Sequence, residues 1–408
     1  MEVLEMSKEL LTPVRYIGLD IHKHYLVAYG VDKDQNQVYG FKRVKNEDVP
    51  HWIEKDLTQK DAIALEMTTN TWTMADLLEH HVLSVTVVHP PEVKAIVKAR
   101  VMTDKKAARI LAQLHAAKLL PAVWIPPVEV RELRALVAGR RKMLQMTVRA
   151  KNSLHSVLHR HQMNNVDSCD LFNPDTRAWW EELPVTPIEQ VRILCDWDTL
   201  EFAKMQQDRY ENMLRELAAG DARMSLLVQL PGISIITGMT ILGAIGVIER
   251  FPSPDKLVGY AGLGARVHSS GQSHYTGRIT KSGRRDLRGA MVNAAHKSIK
   301  AHPKWKAEFE RLEPRIGKSK AIVAVARKML VAIWYILTDG VVDIHADPEQ
   351  VARAFFTHAY KLGIENLPDG LSAREYVRFQ LDKLGIGQEM TYFMRSKKKI
   401  NLPPSRLG

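Results

Sequence analysis

Three acids in the first part of the chain, Asp20, Glu66 and Asp104, have the chemistry of a cation site. Asp20 closes the apolar run Tyr16-Ile-Gly-Leu-Asp20, and Glu66 closes Ala62-Ile-Ala-Leu-Glu66. Asp104 lies on a later helical segment. Hard divalent cations need oxygen ligands, and Mg²⁺ takes a few carboxylates while keeping several waters. Two such ions can activate an attacking oxygen and stabilise a leaving one in phosphodiester cleavage. Each acid alone reads as a solvated strand end or a helix cap; the three placed together favour a metal site. A carboxylate one helical turn past Asp104 would share its face, but Asp104-Lys-Lys-Ala107 has alanine there. His22 and His24 sit two apart, a spacing that faces both to one side of a strand. With no third soft ligand nearby, they read as polar surface residues or nucleic-acid contacts.

A second reactive stretch is Arg266-Val-His-Ser-Ser270-Gly-Gln-Ser-His-Tyr-Thr-Gly277-Arg-Ile-Thr-Lys281-Ser-Gly283-Arg-Arg-Asp-Leu-Arg288, read as a glycine- and serine-rich loop leading into a helix. Arg266, Arg278, Lys281, Arg284, Arg285 and Arg288 outnumber its one acid, Asp286. Guanidinium groups bind phosphate in bidentate fashion. A serine among them could attack a scissile phosphate while the arginines stabilise the developing charge. On spacing alone, a basic loop that only grips phosphate is the stronger reading. Upstream, Leu230-Pro-Gly-Ile233 followed by Thr237–Ile245 reads as helix, tight turn, helix, with a glycine that would admit a phosphate to the backbone.

The elements that must hold these residues follow from periodicity. Tyr16–Asp20, His24–Gly30 and Gln37–Val44 read as three antiparallel strands, the last two separated by the polar turn Asp32–Asn36. A helix over Asn46–Leu57 with Asn46 as N-cap comes next, then a strand at Ala62–Glu66 and a helix near Trp72–His80. A strand at Ser84–His89 precedes a helical pattern over Glu92–Leu119 with a break near Met102-Thr103-Asp104. That order is α/β and ribonuclease-H-like, and in such a sheet the strands ending at Asp20 and Glu66 are neighbours. After Trp124-Ile-Pro-Pro127, helical spacing runs over Val128–His161 and again over Pro187–Ala219. The pair reads as a helical hairpin or coiled-coil arm, or equally as an ordinary amphipathic pair on the core. The rest is mainly helical and ends in a basic tail with Arg395-Ser-Lys-Lys-Lys399.

The 408 residues imply two or three domains at ~150 residues each. Lys and Arg number 58 against 46 Asp and Glu, and the net charge of +12 favours polyanionic partners. Cys169 and Cys195 are too few for a disulfide framework or a cysteine zinc site, which fits a reduced, cytoplasmic setting. Met1-Glu-Val-Leu-Glu-Met carries acids where a signal peptide needs positive charge. The apolar stretch Leu226–Ile248 is broken by Gln229, Pro231 and glycines, so no membrane span is expected there.

Over nearly its whole length the chain resembles the transposases of insertion sequences that carry a DEDD, RuvC-like N-terminal domain and a serine-bearing C-terminal transposase domain, known as bridge-RNA-guided recombinases. The resemblance rests on Gly18-Leu-Asp20-Ile, Glu66, Thr103-Asp104-Lys-Lys-Ala107-Ala-Arg, Leu230-Pro-Gly-Ile233, Tyr260-Ala-Gly-Leu263, Ser270-Gly271 and Gly277 to Arg288. It implies that Asp20, Glu66 and Asp104 are three of four Mg²⁺-binding acids, with Ala107 in the fourth place, a departure that bears on DNA cleavage. It also implies Ser270 as nucleophile, Ser269 being the neighbouring register. Nucleic-acid contacts are expected at Lys105, Arg266, Arg278, Lys281, Arg284, Arg285 and Arg288. Implied partners are target and donor DNA, a noncoding guide (bridge) RNA and further copies of the chain. A dimer or tetramer would join the RuvC-like domain of one copy to the serine domain of another, with the helical arm as interface. The setting would be prokaryotic and cytoplasmic, at the nucleoid. The expected divisions are an N-terminal extension at 1–14, the RuvC-like domain at 15–125, the arm at 126–222, the serine domain at 223–345 and a C-terminal helical region with the basic tail at 346–408.

Other classes are weighed by the same residues. A ribonuclease-H-type or RuvC-type nuclease would use water and leave Ser270 idle. A sugar-kinase-like phosphotransferase needs a small-residue phosphate turn after the first acid, and Ile21-His-Lys-His24 substitutes poorly. A non-catalytic nucleic-acid binder gains weight from Ala107.

Overall fold

The computed structural model describes residues 12–97, 103–163, 171–270 and 273–407, with the side chains of 267–276 outside that description. Contacts divide the chain into two compact units, Met1–Pro126 and Pro127–Gly408.

The first unit is a mixed sheet with helices on both faces. Its elements are β1 (Arg15–Ile21), β2 (Tyr25–Val31), β3 (Gln37–Lys45), α1 (Val49–Asp56), β4 (Asp61–Glu66), α2 (Thr71–Glu79), β5 (Ser84–Val88), α3 (Pro90–Ile96), α4 (Asp104–Ala116) and β6 (Ala122–Val123). The strand order is β3-β2-β1-β4-β5-β6. β1, β2 and β3 pair antiparallel, β1, β4 and β5 pair parallel, and β6 returns antiparallel. Period-two alternation sorts the side chains. Ile17, Leu19 and Ile21 of β1 join Ile63 and Leu65 of β4 in one core with Trp52, Ile53 and Leu78. On the other face Tyr16 and Ala62 pack with Ala108 and Ala112 of α4. Asp20 and Glu66 therefore belong to the face that α4 covers. Asn46 does not cap α1: residues Asn46–Asp48 form a short 3-10 turn, and Asn46 Nδ2 donates to the Lys23 carbonyl at 2.8 Å.

The second unit is mostly helical: α5 (Val128–Arg160), α6 (Arg177–Glu181), α7 (Pro187–Gly220), α8 (Arg223–Val228), α9 (Ile235–Ile245), α10 (Pro254–Tyr260), then β7 (Ala265–Ser270) and β8 (Ser273–Ile279), then α11 (Arg285–Ala301), α12 (Pro303–Ile316), α13 (Lys318–Asp339), α14 (Pro348–Leu362), α15 (Ala373–Leu384), and the strands β9 (Tyr392–Arg395) and β10 (Lys398–Asn401). α5 and α7 run antiparallel, since Arg140 pairs with Glu211, Ser153 with Asp196 and Arg160 with Glu189. Leu133, Val137, Leu214 and Ala218 at one end share the main core with Leu242, Met291, Leu330 and Phe355. The other end has its own small core of Phe172, Trp180, Trp197 and Leu154.

Local structure refines the sequence reading at several points. The segment expected as a glycine- and serine-rich loop is a β-hairpin, β7 paired antiparallel with β8. The basic tail is likewise a hairpin: Ser396 and Lys397 take positive φ between β9 and β10, and Phe393 buries its ring 5.3 Å from that of Phe356. Gly232, in the turn between α8 and α9, packs closely on α11, and a Cβ there would lie 2.4 Å from the Ala294 carbonyl. α13 is long and apolar enough to cross a membrane by length and composition, but Val325, Met329, Leu330 and Ile333 sit in the core of this unit.

Candidate active site

Close packing of α4 on β1 builds the acid cluster. A Cβ on Gly18 would lie 2.1 Å from the Ala108 carbonyl oxygen and 2.6 Å from the Ala112 amide nitrogen, so a bare backbone is what lets the helix lie against the strand. Thr103 caps α4 by accepting from the Lys106 amide at 3.3 Å, which fixes Asp104 as the first helical residue. On the sheet, Leu19 pairs with Leu65, so Asp20 and Glu66 follow side by side. The same register pairs Arg15 with Asp61, where Arg15 Nε donates to the buried Asp61 carboxylate at 2.6 Å. A slipped register would strand that buried charge.

Asp20, Asp104 and His22 bring donor atoms within 4.8 Å of one another. His22 Nε2 is 3.3 Å from Asp20 Oδ2 and 3.4 Å from Asp104 Oδ2. The Tyr25 hydroxyl donates to Asp104 Oδ2 at 2.8 Å, and the Arg43 guanidinium sits 3.7 Å from the centre of the Tyr25 ring. Burial pushes the Glu66 carboxyl up, and the charge of Asp20 adds to the rise against the pull of Lys94. Burial also raises Asp20, with His22 opposing and Asp104 adding repulsion. Asp104 is held below the usual carboxylate range, first by the Tyr25 hydroxyl and then, against some burial, by His22 and Arg43. Like charges crowded this way are relieved by a cation. Ala107 lies one turn along α4 from Asp104, partly buried, and its methyl offers no ligand.

Sequence spacing misjudged His22. β1 ends at Ile21, so His22 and His24 occupy the turn into β2 rather than one strand face. His24 is exposed, whereas His22 turns to the acids. Tyr25 was missed altogether, because its partner Asp104 lies 79 positions away.

In the second unit, Ser270 ends β7 and pairs across the hairpin with Ser273; the side chains of Ser269 and Ser270 lie outside the described residues. The root of this hairpin is clamped. Gly283 takes φ +109°, and a Cβ on it would lie 2.2 Å from the Tyr260 carbonyl. The Arg284 amide donates to that same carbonyl at 2.8 Å, and the Lys281 amide to Gly262 at 3.2 Å. The two sequence motifs Tyr260–Leu263 and Lys281–Arg288 are thus partners in one turn. Not all their arginines face outward. Arg284 forks onto Asp286 at 3.0 and 2.5 Å, and Arg288 donates to the Ala261 carbonyl at 3.0 Å. Arg266 reaches the Thr280 carbonyl at 3.4 Å. Arg278, Lys281 and Arg285 are exposed, and Arg285 lines an open groove with Arg141 and Lys297. Lys105, beside Asp104, is exposed with its ammonium 5.6 Å from the centre of the Phe41 ring.

Residues 17–163 match a profile described as a transposase, the DEDD type of IS110, and residues 224–310 match the transposase IS116/IS110/IS902 family. The two stretches together span more than half of the chain. A transposase for insertion sequence element IS1111A from Coxiella burnetii is 22% identical over 82% of this chain and 93% of its own length. A pilin gene-inverting protein from Moraxella bovis is 27% identical over 79% of this chain and 95% of its own. A probable family 20 transposase from Pseudomonas aeruginosa is 24% identical over 79% and 96%.

Proposed function

The chain belongs to the IS116/IS110/IS902 family of insertion-sequence transposases, and from that premise we propose that it cuts and exchanges DNA strands through Ser270, assisted by a divalent-cation site of Asp20, Glu66 and Asp104. The convergence of Asp20 and Asp104 beside Glu66 carries this reading. Carboxylate oxygens at the ends of β1 and β4 and the start of α4, partly open to solvent, are a donor set that fits Mg²⁺. When bound, such ions would offset charge on a scissile phosphate and its leaving oxygen. The strand order and the acid positions support a RuvC-like reading of the first unit.

In the proposed reaction the Ser270 oxygen bonds to the scissile phosphorus as the bond to the deoxyribose oxygen breaks. The serine loses its proton, and the departing oxygen gains one. Lys105, Arg278, Lys281 and Arg285 would hold the phosphate backbones, with Arg266 at the hairpin root. Arg284 and Arg288, already bound within the protein, would shape that root. A noncoding bridge RNA would pair with target and donor DNA, a role compatible with the net charge of +12. The α5–α7 pair would serve as a coiled-coil arm joining copies into a dimer or tetramer, so that acids of one copy serve the serine of another. The work would take place at the prokaryotic nucleoid, in the cytoplasm.

Ala107 favours a second reading, in which this chain assembles on nucleic acid but cuts weakly or not at all. A denaturing gel of the chain with matched DNA, guide RNA and Mg²⁺ separates the possibilities. A DNA-linked protein band supports the serine reaction. Cut DNA without such a band points to a nuclease that uses water, and complexes without either point to a binder.

A further inference from the structure

We infer that His22 is a ligand of the cation site, a nitrogen donor that occupies part of the coordination a fourth carboxylate would otherwise supply. This rests on the proposed reading that Asp20 and Asp104 hold a divalent cation. Around an ion with bonds of about 2.1 Å, adjacent donors sit about 3.0 to 3.5 Å apart, depending on octahedral or tetrahedral angles. His22 Nε2 lies at 3.3 and 3.4 Å from one oxygen each of Asp20 and Asp104. Those separations are long for an imidazolium bonded to a carboxylate, for which about 2.8 Å is usual. They also place one nitrogen at nearly equal distances from two acids, and all three donor atoms lie within 4.8 Å of one another.

The ring is held in place for this role. It tilts against Tyr25, with centroids 4.8 Å apart, and Tyr25 in turn donates to Asp104. Groups of this kind orient ligands from behind, and losing one commonly costs 10 to 100-fold in metal affinity. The β1–β2 turn brings His22 to the site from the sheet side, while the α4 face at Ala107 contributes only a methyl. A nitrogen donor in an otherwise carboxylate site alters its preference. Imidazole suits first-row transition ions better than Mg²⁺, so His22 would tighten Mn²⁺ or Co²⁺ more than Mg²⁺.

The test uses the full chain without nucleic acid, with Mn²⁺ alone and Mg²⁺ alone as probes. Calorimetry gives the affinities, and electron spin-echo modulation of bound Mn²⁺ reports a directly bonded nitrogen. The expected result is nitrogen modulation in the unaltered chain, its loss in His22→Ala, and about tenfold or greater weakening of Mn²⁺ with a smaller change for Mg²⁺. Mn²⁺ bound without nitrogen modulation overturns the role of His22 and leaves the cation site standing. Equal or tighter Mn²⁺ binding by His22→Ala does the same, since it would show that the imidazole competes with the cation. No Mn²⁺ binding by the unaltered chain overturns both readings. The spectrum of the unaltered chain decides even if the variant folds poorly.

Discussion

Gly18 and Ala108 touch backbone to backbone: the place a Cβ on Gly18 would occupy is 2.1 Å from the Ala108 carbonyl oxygen. The acid cluster depends on that contact, because Asp20 lies two residues along β1 and Asp104 one turn before Ala108 on α4. Gly18→Ala should push α4 away from the strand, at a cost of about 1–3 kcal/mol in unfolding free energy, as for other overpacked sites. Divalent-cation affinity should fall with it. Urea denaturation and calorimetry would measure the two; a variant with unchanged stability and metal binding would refute the dependence.

Ala107→Asp should raise Mg²⁺-dependent cleavage of matched DNA. The new carboxylate would stand one turn from Asp104 on the face of α4 that meets the sheet. Nucleic-acid binding should change little, since the substitution removes none of the basic side chains proposed to hold the phosphates. Cleavage assays of the two forms side by side decide it, and equal, robust cutting by both would remove position 107 from the site.

Arg284 and Arg285 are neighbours with different expected effects. Arg285→Ala should weaken binding across DNA sequences alike and flatten its dependence on log salt by about one unit, the signature of a lost phosphate contact. Arg284→Ala should instead lower stability, because it removes the Arg284–Asp286 pair at the start of α11. Binding isotherms at several salt concentrations and a melting curve would distinguish them. A base-selective loss with an unchanged slope would show that Arg285 reads sequence.

Much of the fold could be read from the chain, and the failures have physical causes. The strands ending at Asp20 and Glu66 were legible as short apolar runs, which the fold buries on both faces, and the long helices α5 and α7 as extended stretches of recurring apolar residues. The β7–β8 hairpin was read as a loop because Gly, Ser and His are poor strand formers, and its pairing is decided across the turn rather than by propensity. The tail around Lys397 read only as basic, yet Phe393 of this hairpin and Leu402 just past it are buried in the core. At the site, spacing can suggest Asp20, Glu66 and Asp104, but the turn that carries His22 inward and the reach of Tyr25 to Asp104 exist only after α4 has docked.

His358 gives the second unit a pH dependence. It is buried between Phe355 and Tyr376, neither ring nitrogen has a hydrogen-bond partner among the described residues, and burial together with the charge of Arg215 lowers its pKa to about 4. Between that value and the ordinary 6.5, the unfolded chain binds a proton that the folded one refuses. Stability should therefore fall as pH drops from 6.5 towards 4, by as much as about 3 kcal/mol from this residue. His358→Leu should flatten the slope in urea denaturation across that range, and an identical slope would assign the effect elsewhere.

The most direct test is to find which atom of the protein the DNA is joined to. The Ala107→Asp form, incubated with matched DNA, guide RNA and Mg²⁺, is denatured and digested with protease and nuclease, and the peptides are sequenced by mass spectrometry. The expected product is a nucleotide phosphate esterified to Ser270, absent when Ser270→Ala is added and retained with Ser269→Ala. A phosphate on another side chain, or cut DNA with no linked peptide at all, would contradict serine-mediated strand transfer by this chain.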